Sequence, residues 1–253
     1  MDRPALPVAV ALLLLTAGCA STLADPPTRE DRAVALQEDA QAAIDDVETY
    51  RQAGSLRVVA TSDGDTRRIE FAIDGAVNVT AHRARNTAIA DDRQRSAFVI
   101  GDRIYRECSA MRGTWGVENH SAGGDWVETT PAARQLSLLE GGALRIEGSG
   151  VVDGQSATIL EGRPSGDALE RHGDRGSQPI IGGSQIQNPT VRVWLHNRTA
   201  LPLKVTLDFA VSGGGGSADA SMTMRYSGYG EPVSISLPEE ARDDVWETGC
   251  PGG

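Results

Sequence analysis

Apolar and polar residues alternate along most of this chain, a pattern typical of β-strands with one buried face and one solvated face. The alternating runs are 56–60, 69–73, 77–81, 98–100, 104–106, 144–152, 156–162, 191–196, 203–211, 222–226 and 233–237. The dipeptides Asp74-Gly75, Gly101-Asp102 and Asp153-Gly154 each predict a hairpin turn between neighbouring runs. The glycine-rich segment 213–217 predicts a further hairpin tip. The pattern therefore predicts a large antiparallel sheet.

Two segments have apolar residues at helical spacing instead. The first is 29–53, which we expect Gly54 to end, and Thr28 followed by Asp31 resembles a capping box at its start. The second is 131–140, which Pro131 begins. Because sheets of eight or more strands tend to curl, we predict an α+β fold. Its large curved antiparallel β-sheet would form a half-barrel covered on its concave face by two or more helices.

A short apolar run at 5–19 follows Arg3 and ends in small residues and a cysteine. It is shorter than the roughly 20 apolar residues that cross a bilayer, which is typical of a cleaved export signal. The residues before Cys19 resemble the lipobox of lipoprotein signal peptides, with Thr16 where that pattern usually has leucine. The resemblance implies cleavage after residue 18 and a lipid on Cys19. The alternative is an ordinary secretory signal with an incidental cysteine.

These features predict four segments along the chain. They are a signal peptide with a lipobox at 1–18, a tether at 19–28, a half-barrel domain at 29–245 and a C-terminal tail at 246–253. Within the domain, the polar, glycine- and proline-rich stretch 163–188 is interpreted as a long insertion or lid. The predicted location is the extracytoplasmic face of the cell membrane, with the lipid on Cys19 as the membrane contact.

The charge balance narrows the possible partners. The chain has 35 acidic and 24 basic residues, a net charge of −11 and a single lysine, Lys204. An acidic, arginine-rich and aromatic-poor composition is typical of a salt-adapted protein of archaeal type, since carboxylates keep a chain soluble in concentrated salt. Nucleic acid is excluded as a partner, because no basic stripe is present to neutralise phosphates. The sequence indicates no particular protein partner.

The cysteines and the glycosylation triplets both fit an exported protein. With Cys19 lipidated, Cys108 and Cys250 remain as a pair that can form a disulfide in an oxidising compartment. Two free cysteines are the alternative. Asn-X-Ser/Thr triplets at Asn119 and Asn197 predict surface glycosylation sites, while the triplet at Asn78 falls in a predicted strand.

The sequence contains no arrangement that indicates catalysis. The four histidines are His82, His120, His172 and His196, and a single histidine beside an acidic residue in a loop is more often a solvated surface group than a metal ligand. The chain has no G-x-S-x-G, H-E-x-x-H or phosphate-loop motif. We therefore predict a protein without enzymatic activity, catalytic residues, a metal or a cofactor.

Three stretches resemble a known group of proteins. They are 98–105 (FVIGDRIY), 193–209 (VWLHNRTALPLKVTLDF) and 222–241 (MTMRYSGYGEPVSISLPEEA). Together with the opening helix, they resemble the LolA/LolB and LppX/LprG-type lipoprotein superfamily over most of 29–242. The resemblance implies a half-barrel that holds acyl chains between its sheet and its helices.

A lipid or another hydrophobic ligand is therefore expected in that cavity, with the protein as a carrier or sensor. The apolar residues predicted to line the cavity are Ile44, Val47, Tyr50, Phe71, Val193, Leu195, Val205, Leu207, Phe209, Met222 and Met224. The alternative is a non-enzymatic structural or sensory envelope lipoprotein that acts through protein contacts without a ligand.

Overall fold

The structure is a computed structural model, and it describes residues 28–91, 93–108, 113–120, 125–165, 169, 185–213, 215–243 and 245–250. The predicted signal peptide, Cys19 and all of the predicted tether before Thr28 lie outside these residues. So do His172 and much of the predicted insertion at 163–188.

The described chain begins with a helix, continues through eleven strands interrupted by two short helical segments, and ends with a helical turn and a final short strand. The helices are α1 (Asp31–Asp45), a 3-10 helix (Trp126–Thr129), α2 (Pro131–Ser137) and α3 (Glu240–Asp243). The strands are β1 (Thr49–Ser62), β2 (Asp65–Asn78), β3 (Arg83–Ala90), β4 (Arg93–Ile100), β5 (Arg103–Glu107), β6 (Trp115–Asn119), β7 (Ala143–Val152), β8 (Gln155–Arg163), β9 (Gln185–His196), β10 (Pro202–Gly213), β11 (Gly216–Ser227) and β12 (Val245–Trp246).

The twelve strands of the described residues form one sheet in the order β12-β6-β5-β4-β3-β2-β1-β11-β10-β9-β8-β7. Neighbouring strands are antiparallel except β12 and β6, which are parallel. The hairpins follow the chain, and only the pairing of β1 with β11 and the late addition of β12 join distant segments. The predicted α+β half-barrel is confirmed.

The main hydrophobic core lies between one face of this sheet, called the inner face here, and the helices α1 and α2. It combines helix residues such as Ile44 and Leu136 with strand residues such as Tyr50, Val193 and Val205. A second cluster lies on the opposite, outer face around Phe98 and Trp115. The period of two along each strand sends alternate side chains to the two faces.

The first helix is shorter than the predicted segment 29–53. The structure ends α1 at Asp45, and Thr49 already begins β1, which runs through Gly54. Tyr50 belongs to the sheet, although its spacing fits the helical stripe. Thr49 and Tyr50 both favour strands, and pairing with β2 and β11 on both sides outweighs one further helical turn.

The predicted hairpin at Asp74-Gly75 is also wrong. β2 continues through both residues, and the turn lies at Asp63-Gly64, where both residues have positive φ. Both dipeptides fit a hairpin turn. A turn at Asp63-Gly64 lets β1 and β2 pair without interruption from Thr49 and Asn78 to Ser62 and Asp65, and the structure has this turn. At Gly75 the backbone of β3 approaches closely, because an added Cβ would lie 2.8 Å from the Arg85 carbonyl oxygen.

The run 233–237 alternates like a strand but forms none. The described part of the chain from Glu231 to Cys250, called the C-terminal strap here, crosses the outer face of the sheet instead. Its carbonyl oxygens accept hydrogen bonds from Thr49 on β1 and Arg83 on β3. The alternation therefore reflects Ile235 packing against the outer face, without a neighbouring strand.

Candidate functional site

The inner face divides into a half covered by the helices and a half nearer the tips of the long hairpins. In the covered half, the side chains of Tyr50, Val193 and Val205 are fully buried, and Met224 and Leu195 are nearly so. Ile44, Val47 and Leu207 belong to the same core cluster. Most of the residues predicted to line a cavity thus pack against one another between the sheet and the helices.

Tyr50 joins the sheet to α2 in this covered half. The backbone N–H of Ala132, near the start of α2, donates a hydrogen bond of 3.3 Å to the Tyr50 hydroxyl. Thr130 precedes the helix but makes no capping hydrogen bond with its side chain. The tyrosine therefore satisfies a helix N–H that would otherwise be buried without a partner. Burial raises the pKa of Tyr50 to about 12, although the nearby Thr130 side chain and the hydrogen bond from Ala132 act in the opposite direction.

Two further tyrosines complete an aromatic group beside Tyr50. Its ring centroid lies 5.8 Å from that of Tyr226 and 5.9 Å from that of Tyr229. The Tyr226 hydroxyl donates to Gln135 Oε1 at 2.8 Å, and the Tyr229 hydroxyl donates to the Pro202 carbonyl oxygen at 2.6 Å. Burial raises the pKa of both Tyr226 and Tyr229, so both stay neutral. The group fastens α2 to the sheet and fixes the covered half.

In the other half, apolar side chains of four adjacent strands remain partly exposed. We call them the apolar tract: Leu56, Val58, Ile69, Phe71, Phe209 and Met222. Ile69 is 44% exposed, in contrast to the fully buried Tyr50 on the neighbouring strand. Phe209 and Met222 pack against the main core, so the tract continues the core surface without a break.

The strand register places these residues side by side. Phe71 is opposite Leu56, Leu56 is opposite Met222, and Met222 is opposite Leu207. The next row places Ile69 opposite Val58, and Val58 opposite Ala220, which is opposite Phe209. Phe71, Phe209 and Met222 are among the residues that the sequence predicts to line a cavity. Leu56, Val58 and Ile69 are not among them, although their alternation with polar residues indicates the same face.

Gly54 brings β1 close to β11 beside the tract. An added Cβ there would overlap the Thr223 carbonyl oxygen and lie 2.6 Å from the Met224 sulfur. The thioether of Met224 therefore occupies space that a side chain at residue 54 would take. This close approach joins the tract to the covered half at Met224.

Two open cavities lie away from the tract. One, of about 230 Å³, is lined by Thr28, Glu30, Ala143, Leu144, Arg145, Glu161 and Arg163. The other, of about 390 Å³, lies at the hairpin tips and is lined by Thr61, Ser62, Asp63, Gly64, Gly213, Gly215, Gly216 and Ser217. Neither is lined by a residue predicted to contact a ligand.

The described histidines have separate surroundings. His82 stacks on Trp126 with ring centroids 5.4 Å apart, and His196 Nδ1 lies 2.9 Å from Thr199 Oγ1. Burial, followed by the charges of Arg134 and Arg106, lowers the pKa of His120. Among the residues that the structure describes, no three histidine, cysteine or acidic side chains are grouped to hold a metal ion.

The remaining predicted site residues lie away from the inner face. A disulfide joins Cys108, next to β5, to Cys250 in the C-terminal strap. Asn119 and Asn197 are both exposed, and Asn197 accepts a hydrogen bond from Thr158. Their glycosylation stays a prediction. None of the described helices has the length and apolar content needed to cross a membrane.

This geometry defines an LppX-type fold, in which a half-barrel sheet carries helices over its concave face. The sequence matches no protein-family model and no curated protein. Solved structures do resemble it. One is the lipoprotein LppX from Mycobacterium tuberculosis, with 20% identity and a TM-score of 0.52, covering 82% of this chain and 100% of LppX.

Two other similar structures have lower TM-scores. LprF from Mycobacterium bovis has 14% identity and a TM-score of 0.48, covering 83% of this chain and 99% of LprF. A LolA superfamily protein from Nitrosomonas europaea has 9% identity and a TM-score of 0.27, covering 82% of this chain and 96% of that protein. The assignment of the fold rests on LppX, and at such low identity the similarity establishes the fold alone.

Proposed function

We propose that this protein is an extracytoplasmic lipoprotein, anchored through a lipid on Cys19, that binds a lipid or other hydrophobic ligand as a carrier or sensor. The site would be the apolar tract, with Met224 and Leu207 at its border with the core. The similarity to LppX in fold supports this function, and so does the lipobox-like segment that precedes the domain.

The observation that carries the proposal is the continuous apolar surface of the tract. Its side chains are contributed by β2, β1, β11 and β10, and they remain partly exposed beside a buried core. Burying apolar surface contributes about 25 cal/mol per Å². Contiguous exposed apolar surface of this kind marks a binding site more often than scattered single residues do. An acyl chain lying on the tract would extend the core that Phe209 and Met222 already contact.

The experiment uses the mature chain from residue 19 with Cys19→Ser, purified from its native host. Mass spectrometry of an organic extract would identify a bound lipid and its stoichiometry. Val58→Asp places a carboxylate in the tract, and Val59→Asp is the matched control, because Val59 lies on the opposite face of the same strand and is similarly exposed. We expect Val58→Asp to lose at least about nine tenths of the ligand, since burying a charge on apolar surface is costly.

Retention of the ligand by Val59→Asp completes the expected result. A folded protein that carries no ligand and binds no monopalmitoylglycerol would instead favour the alternative, an envelope lipoprotein that acts through protein contacts. Equal loss in both variants would place the ligand elsewhere.

A further inference from the structure

Three arginines lie on the inner face beside the apolar tract. Arg67 on β2 is opposite Ala60, and on β4 Arg93 and Arg95 are opposite Ala90 and Ala88. The face of β4 is fixed by its neighbours in the strand. Val99 packs with the main inner core, whereas Phe98 belongs to the outer cluster. Arg93 and Arg95, an even number of residues from Val99, therefore share the inner face with it.

None of these arginines has an ion-pair partner in the part of the chain that the structure describes. Their side chains are exposed and form no hydrogen bond or ion pair with any described residue. On the outer face of β1 to β3, Arg57 pairs with Glu70 at 3.5 Å and Arg85 pairs with Asp74 at 3.0 Å, whereas Arg68 has no ion pair with a described residue.

The inner face of these strands carries more positive than negative charge. Over the described inner strand positions of β1 to β4 and β9 to β11, the only carboxylate is Asp65, against the three arginines, while Asp63 and Asp91 lie in the adjoining hairpin turns. The chain as a whole has a net charge of −11. The local charge beside the apolar tract is therefore positive, whereas the net charge of the whole chain is negative.

The register sets the distance between these charges and the apolar surface. One row of directly paired residues runs from Arg95 through Ala88, Ile73 and Gly54 to Met224. Four strand spacings separate its ends, roughly 19 Å in a flat sheet. Arg67 lies two residues beyond Ile69 towards the hairpin tip, roughly 7 Å along β2. A cationic border thus follows two sides of the tract at a distance that one amphiphilic molecule spans.

We propose that the ligand of this site is a lipid with an anionic head group of the phosphate or sulfate type. Its acyl chain lies on the apolar tract, and its head group lies at the cationic border formed by Arg67, Arg93 and Arg95. Guanidinium groups bind such oxyanions through paired, charge-assisted hydrogen bonds. This inference rests on the proposed function and adds the chemistry of the head group.

The test compares two lipids with the same chain, hexadecyl phosphate and monopalmitoylglycerol, each below its micelle concentration, on the mature chain with Cys19→Ser. The test variant is Arg67→Gln/Arg93→Gln/Arg95→Gln. The matched control is Arg32→Gln/Arg68→Gln/Arg198→Gln, which removes the same charge from three other exposed arginines without a described ion pair. We expect the test variant to bind hexadecyl phosphate at least about tenfold more weakly, since each hydrogen bond to a charged group contributes on the order of a factor of ten.

The control variant should keep its affinity for hexadecyl phosphate, and both variants should bind monopalmitoylglycerol as the unsubstituted chain does. Undiminished binding of hexadecyl phosphate by the test variant overturns the head-group inference but leaves the proposed function intact. Equal weakening in both variants also overturns it, because net charge alone would then explain the effect. If neither lipid binds the unsubstituted chain, the proposed function itself fails. If the test variant loses only its binding to phosphatidylglycerol vesicles, the arginines face a membrane surface, and the inference fails.

Discussion

At the scale of single residues, Glu161 is a buried carboxylate that two arginines stabilise. Its side chain is 7% exposed, and its two oxygens lie 2.6 Å from nitrogen atoms of Arg145 and Arg192, on the strands at either side. Burial alone would raise the pKa of Glu161. The hydrogen bonds and charges of the two arginines outweigh burial and lower the pKa below its ordinary value of 4.5.

A depressed folded-state pKa means that Glu161 stabilises the fold above pH 4.5 and loses this contribution as the pH falls through the folded value. We expect Glu161→Gln to reduce the free energy of unfolding by about 1–2 kcal/mol at neutral pH, since both arginines keep contact with water. The difference should shrink at pH values below the folded pKa. Urea unfolding at neutral and acidic pH measures both effects.

Glu70→Gln provides the control, because Glu70 forms an exposed pair with Arg57. Its effect should stay within about 0.5 kcal/mol at either pH. If the free energies of unfolding of Glu161→Gln and the unsubstituted chain differ as much in acid as at neutral pH, the ionised Glu161 carboxylate does not stabilise the fold.

At the scale of elements, the C-terminal strap stabilises the edge of the sheet that begins with β12. Val245 and Trp246 pair with Trp115 and Gly116, and the Gly249 N–H donates to the Val117 carbonyl oxygen at 3.1 Å. The predicted boundary between domain and tail at 245/246 therefore falls inside a strand. Contacts of Val233, Ile235 and Leu237 with the outer cluster hold the segment 231–238, which forms neither helix nor strand, against the sheet.

The disulfide between Cys108 and Cys250 closes a loop with a sequence separation of 142 residues. Replacing both cysteines with serine should reduce the free energy of unfolding by roughly 2–5 kcal/mol, because the unfolded chain gains entropy. Chemical unfolding measures the loss, and amide hydrogen exchange should increase in β6 and the strap.

A reducing agent should destabilise the unsubstituted chain by a similar amount and leave the double-serine variant unchanged. If reduction affects both proteins equally, the disulfide is not the cause. If it affects neither, the strap is held by its packing and backbone hydrogen bonds alone.

At the scale of the whole molecule, the attachment of Arg29 to the edge strand β7 determines which edge of the sheet a lipid anchor on Cys19 would hold near the membrane. Arg29 forms a β-bridge with Leu144 at the free edge of β7, and its guanidinium donates to the carbonyl oxygens of Leu139 and Gly142 at 2.8 and 2.9 Å. Nine residue steps separate Cys19 from Thr28 (28 minus 19). A fully extended segment of that length spans roughly 30 Å. A lipid on Cys19 would therefore keep this edge close to the membrane.

We expect Cys19→Ser to move the protein from the membrane fraction to the soluble fraction of its native host. A single acyl chain anchors only reversibly, so nearly complete retention of the unsubstituted protein would indicate two chains. Thr16→Leu is the matched variant, since it restores the usual lipobox residue and should keep the protein on the membrane. Mass spectrometry of the N-terminal peptide identifies the lipid, and a mature terminus without lipid contradicts the anchor.

Much of the fold follows from local pattern. Alternation within a strand is a short-range property, so residues such as Leu56 and Phe209 predict their own faces without knowledge of their neighbours. The turn at Asp153-Gly154 was predicted for the same reason and is confirmed. Local signals fail where two interpretations compete, as at Tyr50, which fits a helical stripe and a strand equally well.

The sequence by itself determined the period-two strands, the α+β class and the candidate export signal, because each depends on residues close together along the chain. The tertiary structure decided which half of the inner face the helices cover, since docking of α1 and α2 depends on contacts such as that between Ala132 and Tyr50. It also placed Arg67, Arg93 and Arg95 beside the apolar tract. Their alignment depends on the register between strands, which no single strand specifies.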